Sequence, residues 1–148
     1  MADEKHLYRT SLSWESQRRG MLSPAGLPVL RVATPPEFPG GHPGMWSPEH
    51  LFVAAAEAYL MTTFLAIAES SKLEFLSYSS EAEGLLERTD QGFMITRITL
   101  RPWVVIKDAS QQERARRIVE KAEQNCLISK SMKTAVTLEP SIVAGEGG

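Results

Sequence analysis

The sequence is poor in cysteine and histidine, and this scarcity excludes several kinds of site. Cys126 is the only cysteine in the 148 residues, so no disulfide can form within the chain. The three histidines, His6, His42 and His50, do not stand at metal-ligand spacing from the cysteine or from paired carboxylates, so no metal site is expected. The sequence also lacks Walker, GxGxxG, HExxH and GxSxG motifs, and we expect no cofactor.

An excess of charge of either sign is missing as well. The 16 Lys and Arg residues nearly balance the 18 Asp and Glu residues, which leaves a formal net charge of −2 at pH 7. Without a basic stripe, we expect neither nucleic acid nor an anionic membrane as a partner. Ala2 and the charged residues Asp3, Glu4 and Lys5 precede any apolar run, so no signal peptide is expected. Together with the single cysteine, this predicts a reducing, cytoplasmic setting.

One long apolar run stands out from this balanced composition. From Leu51 to Ala68, fifteen of eighteen residues are apolar, and Glu57 carries the only charge. Ser47 is suited to cap a helix, Pro48 to its first position and Glu49 to the positive end of its dipole. A helix that is apolar all round is buried on every side or crosses a membrane. A charge at mid-bilayer costs about 3 kcal/mol, so we expect a central helix wrapped by sheet or shared between two subunits.

The rest of the chain predicts strands and one more helix. A thirteen-residue Pro- and Gly-rich loop, Thr34–Trp46, precedes the long helix and is either functional or a stiff connector. The second helix is expected to begin at a capping box, Ser110–Glu113, and to carry Cys126 on its apolar face. Antiparallel strands are predicted at His6–Trp14, Met21–Leu22, Val29–Ala33, Glu74–Glu87, Gly92–Ile106 and Thr134–Glu139. This order predicts an α+β fold in a single domain over residues 1–148, with its core at about 6–142 and a flexible tail at 144–148.

Few residue types in the sequence could carry chemistry. Cys126 would gain reactivity from a following helix N-terminus and from Lys130 or Lys133, but an inert, buried cysteine is the favoured interpretation. Glu57, in the middle of the apolar run, must find a partner in the core or across a dimer interface, or else take up a proton. Glu49 either pairs with an arginine or only complements the helix dipole.

Four segments resemble one protein family. Ser47–Phe52, followed by Ala54–Ala56, resembles the NPEELLAAA start of the central helix in OsmC/Ohr proteins. Asn125–Ser129 resembles the second cysteine motif of that family. Trp14–Gly20 and Ala33–Phe38, the latter before a Gly-rich loop, resemble an OsmC-like subgroup. The resemblance covers nearly the whole chain, and its strength lies in the order and spacing of the four segments.

The resemblance implies an intertwined homodimer in which antiparallel sheets wrap two buried central helices. Characterised members are thiol-dependent peroxidases that reduce organic hydroperoxides. A reactive cysteine on the central helix attacks the peroxide, an arginine and a glutamate orient it, and a second cysteine resolves the sulfenic acid for reduction by an external dithiol. By position, Glu49 matches the glutamate, Arg18 or less closely Arg19 the arginine, and Cys126 the resolving cysteine.

One departure from the family pattern decides the expected function. The reactive cysteine belongs eleven residues after Pro48, where this chain has Tyr59. A phenol has a pKa near 10 and does not perform the two-electron attack of a thiolate. We therefore expect a stress-related OsmC-like protein that has lost the two-cysteine cycle and binds a small, partly apolar ligand. The predicted pocket lining consists of Tyr59, Glu57, Met61, Phe38 and Trp46.

Two alternatives to this expectation stay open. In the first, Cys126 acts alone as a one-cysteine organic hydroperoxide reductase that an external dithiol recycles, with Glu49 and Arg18 as its catalytic neighbours. That alternative requires an exposed thiol with a depressed pKa. In the second, the chain is a structural partner of a cysteine-bearing paralogue.

Overall fold

The computed structural model describes residues 4–145. Contacts within the chain group it into two compact units, one up to Leu51 (unit 1) and one from Phe52 onward (unit 2). The strands are β1 Leu12–Ser16, β2 Arg19–Leu22, β3 Leu30–Ala33, β4 Phe75–Thr89, β5 Gly92–Ile106, β6 Ala135–Leu138 and β7 Ser141–Ala144. The helices are α1 Pro48–Ser70, α2 Gln112–Gln124 and α3 Leu127–Lys130, with a 3₁₀ turn at Ala109–Gln111. The predicted α+β class and the long helix between two groups of strands are confirmed.

Unit 1 is built on a three-stranded antiparallel sheet in the order β1-β2-β3. Its first strand begins at Leu12, so the prediction of a strand from His6 is wrong. Leu12 pairs with Leu22, the last residue of β2, and residues 4–10 therefore have no neighbouring strand to pair with. Gln17 makes the tight β1–β2 turn with a φ of 53°, and its carbonyl accepts a hydrogen bond from the Trp14 indole at 2.9 Å.

The long loop after β3 folds back onto this sheet. The Ala33 N–H donates to the Trp46 carbonyl at 2.9 Å, and the His42 N–H donates to the Thr34 carbonyl at 3.0 Å. The Thr34 N–H in turn donates to the Arg18 carbonyl at 3.3 Å. These bonds join the loop to the β1–β2 turn and bring the chain back beside β3 before the helix begins.

Helix α1 begins as predicted, but it is not buried on every side. The buried Ser47 hydroxyl accepts a hydrogen bond from the His50 N–H at 3.1 Å, which is the expected N-cap. The buried residues recur every fourth position and form one face, which consists of Ala56, Leu60, Phe64 and Ala68. By length and composition α1 would be able to cross a membrane, but core helices meet the same criterion. Much of the helix outside this face is exposed apolar surface in the single chain, and its burial between two subunits stays a prediction.

Unit 2 contains a mixed sheet, not the purely antiparallel one that was predicted. Strands β4 and β5 form a long antiparallel hairpin of fifteen residues each. Strands β6 and β7 both run parallel to β5, one after the other along its length. Helix α2 lies between β5 and β6 in sequence, and such a crossover returns the chain in the same direction. Strand β7 was not predicted.

Helix α2 covers the sheet of unit 2 with a clear apolar face. Its buried residues are Ala115, Ile118, Val119 and Ala122, and they join the α1 residues in one hydrophobic core. The predicted capping box is absent: Asp108 caps the preceding 3₁₀ turn by accepting from the Ser110 N–H at 3.0 Å. The helix ends at Gln124, before Cys126. Ala144 belongs to β7, which corrects the predicted tail, and residues 146–148 lie outside the described part of the chain.

Candidate functional site

The two candidate arginines lie at the β1–β2 turn of unit 1. The exposed Arg18 side chain lies along Gly40, where an added Cβ would come within 2.8 Å of Arg18 Nε. Gly40 also has a φ of 78°, a backbone conformation that favours glycine at this position. Arg19 is half-buried and donates from Nη2 to the Ser16 hydroxyl at 2.7 Å, while its Nε is buried without a hydrogen bond.

Glu49 lies in the first turn of α1, as the family motif requires. It is half-buried, and its Oε1 atom is buried without a hydrogen bond. Across residues 4–145 no ion pair joins it to Arg18 or Arg19. Beside it, the His50 ring lies 2.7 Å (Nδ1) from the Ser47 hydroxyl and edge-on to the half-exposed Trp46, with ring centroids 6.3 Å apart.

His42 is a site candidate that the sequence did not indicate. Its Nε2 is buried without a hydrogen bond, like Arg19 Nε and Glu49 Oε1. A buried polar atom without a partner costs about 1–3 kcal/mol, so three of them in unit 1 call for water, a ligand or another chain. Nothing in the spacing of the histidines distinguishes His42 from His6, because its burial results from the folding of a long loop. Phe38, the remaining candidate in this loop, is half-buried.

Glu57 finds its predicted partner inside unit 2. Its Oε2 accepts a hydrogen bond from the Ser80 hydroxyl of β4 at 2.6 Å. Among residues 4–145 no ion pair joins Glu57 to an arginine or a lysine. A hydroxyl donor therefore holds this carboxylate at the sheet without a compensating cation.

Tyr59 and Met61 lie further along α1. Tyr59 is half-buried, between the exposed Ala58 and the buried Leu60, and Met61 is exposed. The Tyr59 carbonyl accepts a hydrogen bond from the Thr62 hydroxyl at 3.0 Å. Tyr59 therefore lies at the border between the buried and the exposed side of the helix.

Cys126 lies between α2 and α3 and is completely buried. Its N–H donates to the Glu123 carbonyl at 3.1 Å, and its carbonyl accepts from the Lys130 N–H at 3.1 Å. It is the N-cap residue of α3, but that helix has only four residues and offers little dipole. The exposure that a reactive thiol requires is therefore not met in this conformation.

Tyr78 and Glu123 were not singled out from the sequence. Burial, together with the negative charges of Glu57 and Glu123, raises the pKa of Tyr78 well above its usual 10. Burial also raises the pKa of Glu123, an effect that the nearby Ser129 hydroxyl partly offsets. The alternation along β4 places Tyr78 on the inner side of the strand, but only the fold brings a carboxylate from each of α1 and α2 close to it.

The predicted site residues thus fall into both units. Arg18, Phe38, Trp46 and Glu49 belong to unit 1, and Glu57, Tyr59, Met61 and Cys126 belong to unit 2. What defines the chain is an α+β fold in which a long apolar helix follows a small sheet and precedes a larger mixed one. Residues 41–141 match the family described as OsmC-like protein, and the chain belongs to this family.

Individual relatives agree with this assignment. The chain is 33% identical to the uncharacterized protein YmaD of Bacillus subtilis, over all of this chain and 99% of that protein. It is 28% identical to organic hydroperoxide resistance protein-like 2 of Staphylococcus epidermidis, over 93% of this chain and 96% of that protein. Among solved structures, an OsmC-like protein of unknown function from Vibrio cholerae superimposes with a TM-score of 0.80 at 25% identity. The match covers 90% of this chain and 99% of that one. The chain is therefore an OsmC/Ohr-like protein of the peroxide-stress family.

Proposed function

We propose that this chain has lost the two-cysteine hydroperoxide reductase cycle of its family and serves instead as a homodimeric small-ligand-binding protein. The observation that carries the proposal is Tyr59, which stands eleven residues after Pro48, where the resemblance expects the nucleophilic cysteine. A cycle that needs two thiols cannot run on the single cysteine of this chain.

The environment of the remaining cysteine supports the loss of turnover. A peroxidatic thiol must meet its substrate, and its reactivity depends on a thiolate at an accessible, electropositive position. Cys126 is instead completely buried. The nearby Lys130 is exposed and lies at the far end of α3, four residues away. The one-cysteine alternative therefore has less support than the ligand-binding proposal.

The exposed side of α1 supports the homodimer. This side is apolar and rich in small residues, and it consists of Ala55, Ala58, Met61, Thr62, Leu65 and Ala66. Small side chains allow two helices to approach closely, and a second copy of α1 would bury this surface. The free edge of β4 supports assembly too: within residues 4–145 this fifteen-residue strand has a neighbour on one side only.

The ligand would bind at the border between the buried and the exposed side of α1, where Tyr59 and Met61 lie. Tyr59 offers an aromatic face and a hydroxyl, and Met61 offers a flexible apolar side chain that adapts to different shapes. A small, partly apolar molecule with a hydrogen-bonding group fits this pair. The single unpaired cysteine accords with a reducing compartment, and we place the protein in the cytoplasm.

The test is consumption of cumene hydroperoxide with excess dithiol, measured for the native chain, Cys126→Ser and Tyr59→Cys. We expect no difference between the native chain and Cys126→Ser. Tyr59→Cys restores the missing thiol, and we expect turnover from it that falls when Cys126→Ser is added. Turnover by the native chain that disappears in Cys126→Ser would overturn the proposal and make Cys126 the nucleophile.

A further inference from the structure

The sheet of unit 2 carries a cleft of about 730 Å³ around Trp103, called here the Trp103 cleft. Leu100, Pro102 and Val104 of β5 are buried, so Arg101 and Trp103, which alternate with them, lie on the opposite face of the strand. Trp103 is 48% exposed and lines the cleft together with Arg101. A large aromatic side chain is therefore presented to solvent inside a concave surface.

Strand pairing places a hydroxyl on each side of this indole. Trp103 lies opposite Ser79 of β4 and, on its other side, opposite Ser141 of β7. Directly opposite residues of a sheet have their side chains on the same face, and both serines line the cleft. The row therefore offers an aromatic ring between two groups that each donate and accept hydrogen bonds.

The neighbouring row offers charged groups in fixed positions. Arg101 donates from Nε to Glu139 Oε1 at 3.0 Å and from Nη1 to Glu83 Oε1 at 2.5 Å. Two such bonds orient the plane of the guanidinium. Glu81 lies opposite Arg101 in the sheet, and among residues 4–145 it forms no ion pair. This row thus combines an oriented donor with a carboxylate that is free to accept.

The lining restricts the class of ligand. The carboxylates of Glu81 and Glu139 outnumber the one guanidinium, and this excess of negative charge disfavours an anionic ligand. A single aromatic ring among charged and hydroxyl groups does not provide the apolar centre of a protein interface. The lining is complementary to a neutral molecule that has one apolar face and several hydroxyl groups.

A pyranose ring with equatorial hydroxyls has both properties. Its axial C–H groups form a flat apolar face, and its hydroxyls project from the rim. We propose that the Trp103 cleft binds a saccharide of the glucose type, with the ring stacked on Trp103 and its hydroxyls bonded to Arg101 and Glu81. This site shares no residue with the proposed ligand site at Tyr59, so each proposal can fail without the other.

The probe is cellobiose, which consists of two such rings, and isothermal titration calorimetry measures its binding. We expect a dissociation constant on the order of 0.1–1 mM, because an open cleft covers only part of the sugar. Mannitol has the hydroxyls without the rigid C–H face and should not compete. Failure to bind cellobiose at ten times the upper end of that range, or equal competition by mannitol, would overturn the proposal.

Longer and shorter sugars distinguish the two sources of this chemistry. Cellohexaose that binds more tightly than cellobiose would identify the end or the side of a polysaccharide as the ligand. Equal affinities for both would identify a free small sugar. Either result requires that the cleft binds the saccharide.

Substitutions in the two rows test which groups make the contact. Trp103→Leu keeps an apolar side chain without the aromatic face, and we expect it to weaken cellobiose binding on the order of tenfold, whereas Trp103→Phe should retain most of the affinity. Arg101→Lys keeps the charge but loses the planar donor pair, and we expect binding to weaken about fivefold.

Matched controls exist for both substitutions. Trp14→Leu removes an exposed tryptophan of unit 1, and Arg97→Lys changes an exposed arginine of β5, so both variants should bind like the native chain. Circular dichroism verifies that every variant is folded. Native affinity in both Trp103→Leu and Arg101→Lys, or the same loss in the controls, would overturn the proposal.

Discussion

Helices α1 and α2 contribute to the same core, but they differ in how well their sequence pattern agrees with their burial. Helix α2 is amphipathic, and its buried residues are the apolar ones that its sequence pattern marks. Helix α1 is apolar all round, but the single chain buries only one of its faces. The sequence pattern of α2 therefore agrees with its burial, and that of α1 does not. The exposed apolar side of α1 is the surface that the proposed dimer would cover.

The largest expected effect comes from a charge on the exposed side of α1. Leu65→Glu should dissociate the proposed dimer and weaken self-association on the order of 100-fold, because a carboxylate would be buried against apolar surface. Sedimentation equilibrium at several protein concentrations measures the dissociation constant of the dimer. Lys121→Glu, on the exposed side of α2, is the matched control and should leave the mass unchanged. If Leu65→Glu and Lys121→Glu changed self-association equally, the exposed side of α1 would not be a dimer interface.

The next largest effect is expected from a truncation of Phe64, which lies on the buried side of α1 and next to Leu65 in the sequence. Phe64→Ala should lower the free energy of unfolding by about 3–5 kcal/mol, because it leaves a cavity beside Phe75 and Tyr78. The ring centroids of these residues lie 5.2 and 5.0 Å from that of Phe64. Urea unfolding provides the measurement, and Leu127→Ala, at a half-exposed apolar position, should cost about 0.5 kcal/mol or less. A similar cost for both would mean that this face of α1 does not belong to the core.

A smaller effect is expected at the start of α1. Ser47→Ala removes the hydroxyl that accepts the His50 N–H at 3.1 Å, and we expect a loss of about 1 kcal/mol in the free energy of unfolding. Thr62→Ala removes a hydroxyl that bonds within the exposed side of the same helix and should change stability by less than about 0.5 kcal/mol. Equal losses in urea unfolding would show that the cap contributes nothing specific.

The smallest effect concerns the phenol between the two helices. Tyr78→Phe removes a buried hydroxyl that lacks a partner, so we expect the variant to be as stable as the native chain or up to about 1 kcal/mol more stable. Thermal unfolding at neutral pH shows whether stability rises or falls, with Tyr8→Phe at an exposed position as the control. Clear destabilisation would mean that the Tyr78 hydroxyl has a bound partner in solution.

Local chemistry made some parts of the structure predictable. Ser47, Pro48 and Glu49 marked the start of α1 because the first turn of a helix has specific requirements for hydrogen bonding and charge. The predicted strands Glu74–Glu87 and Gly92–Ile106 are close to β4 and β5, and Gly92 at the turn between them has a φ of 101°. By contrast, the capping box before α2 was wrong, because the Asp108 carboxylate accepts the Ser110 N–H that the Glu113 side chain of a capping box would accept.

The candidate site was less predictable than the fold. The family resemblance indicated four site residues by position, which are Arg18, Glu49, Tyr59 and Cys126. It did not indicate His42 or Tyr78, because their burial depends on distant segments. The parallel pairing of β6 and β7 with β5 was also missed, because short strands carry little information about the direction of their neighbours. Side chains from separate elements meet only once the chain is folded.

The sequence by itself determined the family, the position and start of the central helix and the presence of a single thiol. These are properties of residue identity and of spacing along the chain. Only the tertiary structure decided that Cys126 is shielded, that Glu57 is held by Ser80, and that the Tyr78 Oη and Glu123 Oε1 atoms are buried without a hydrogen bond. Burial and hydrogen bonding depend on which elements pack together, and packing is decided by contacts between residues far apart in the sequence.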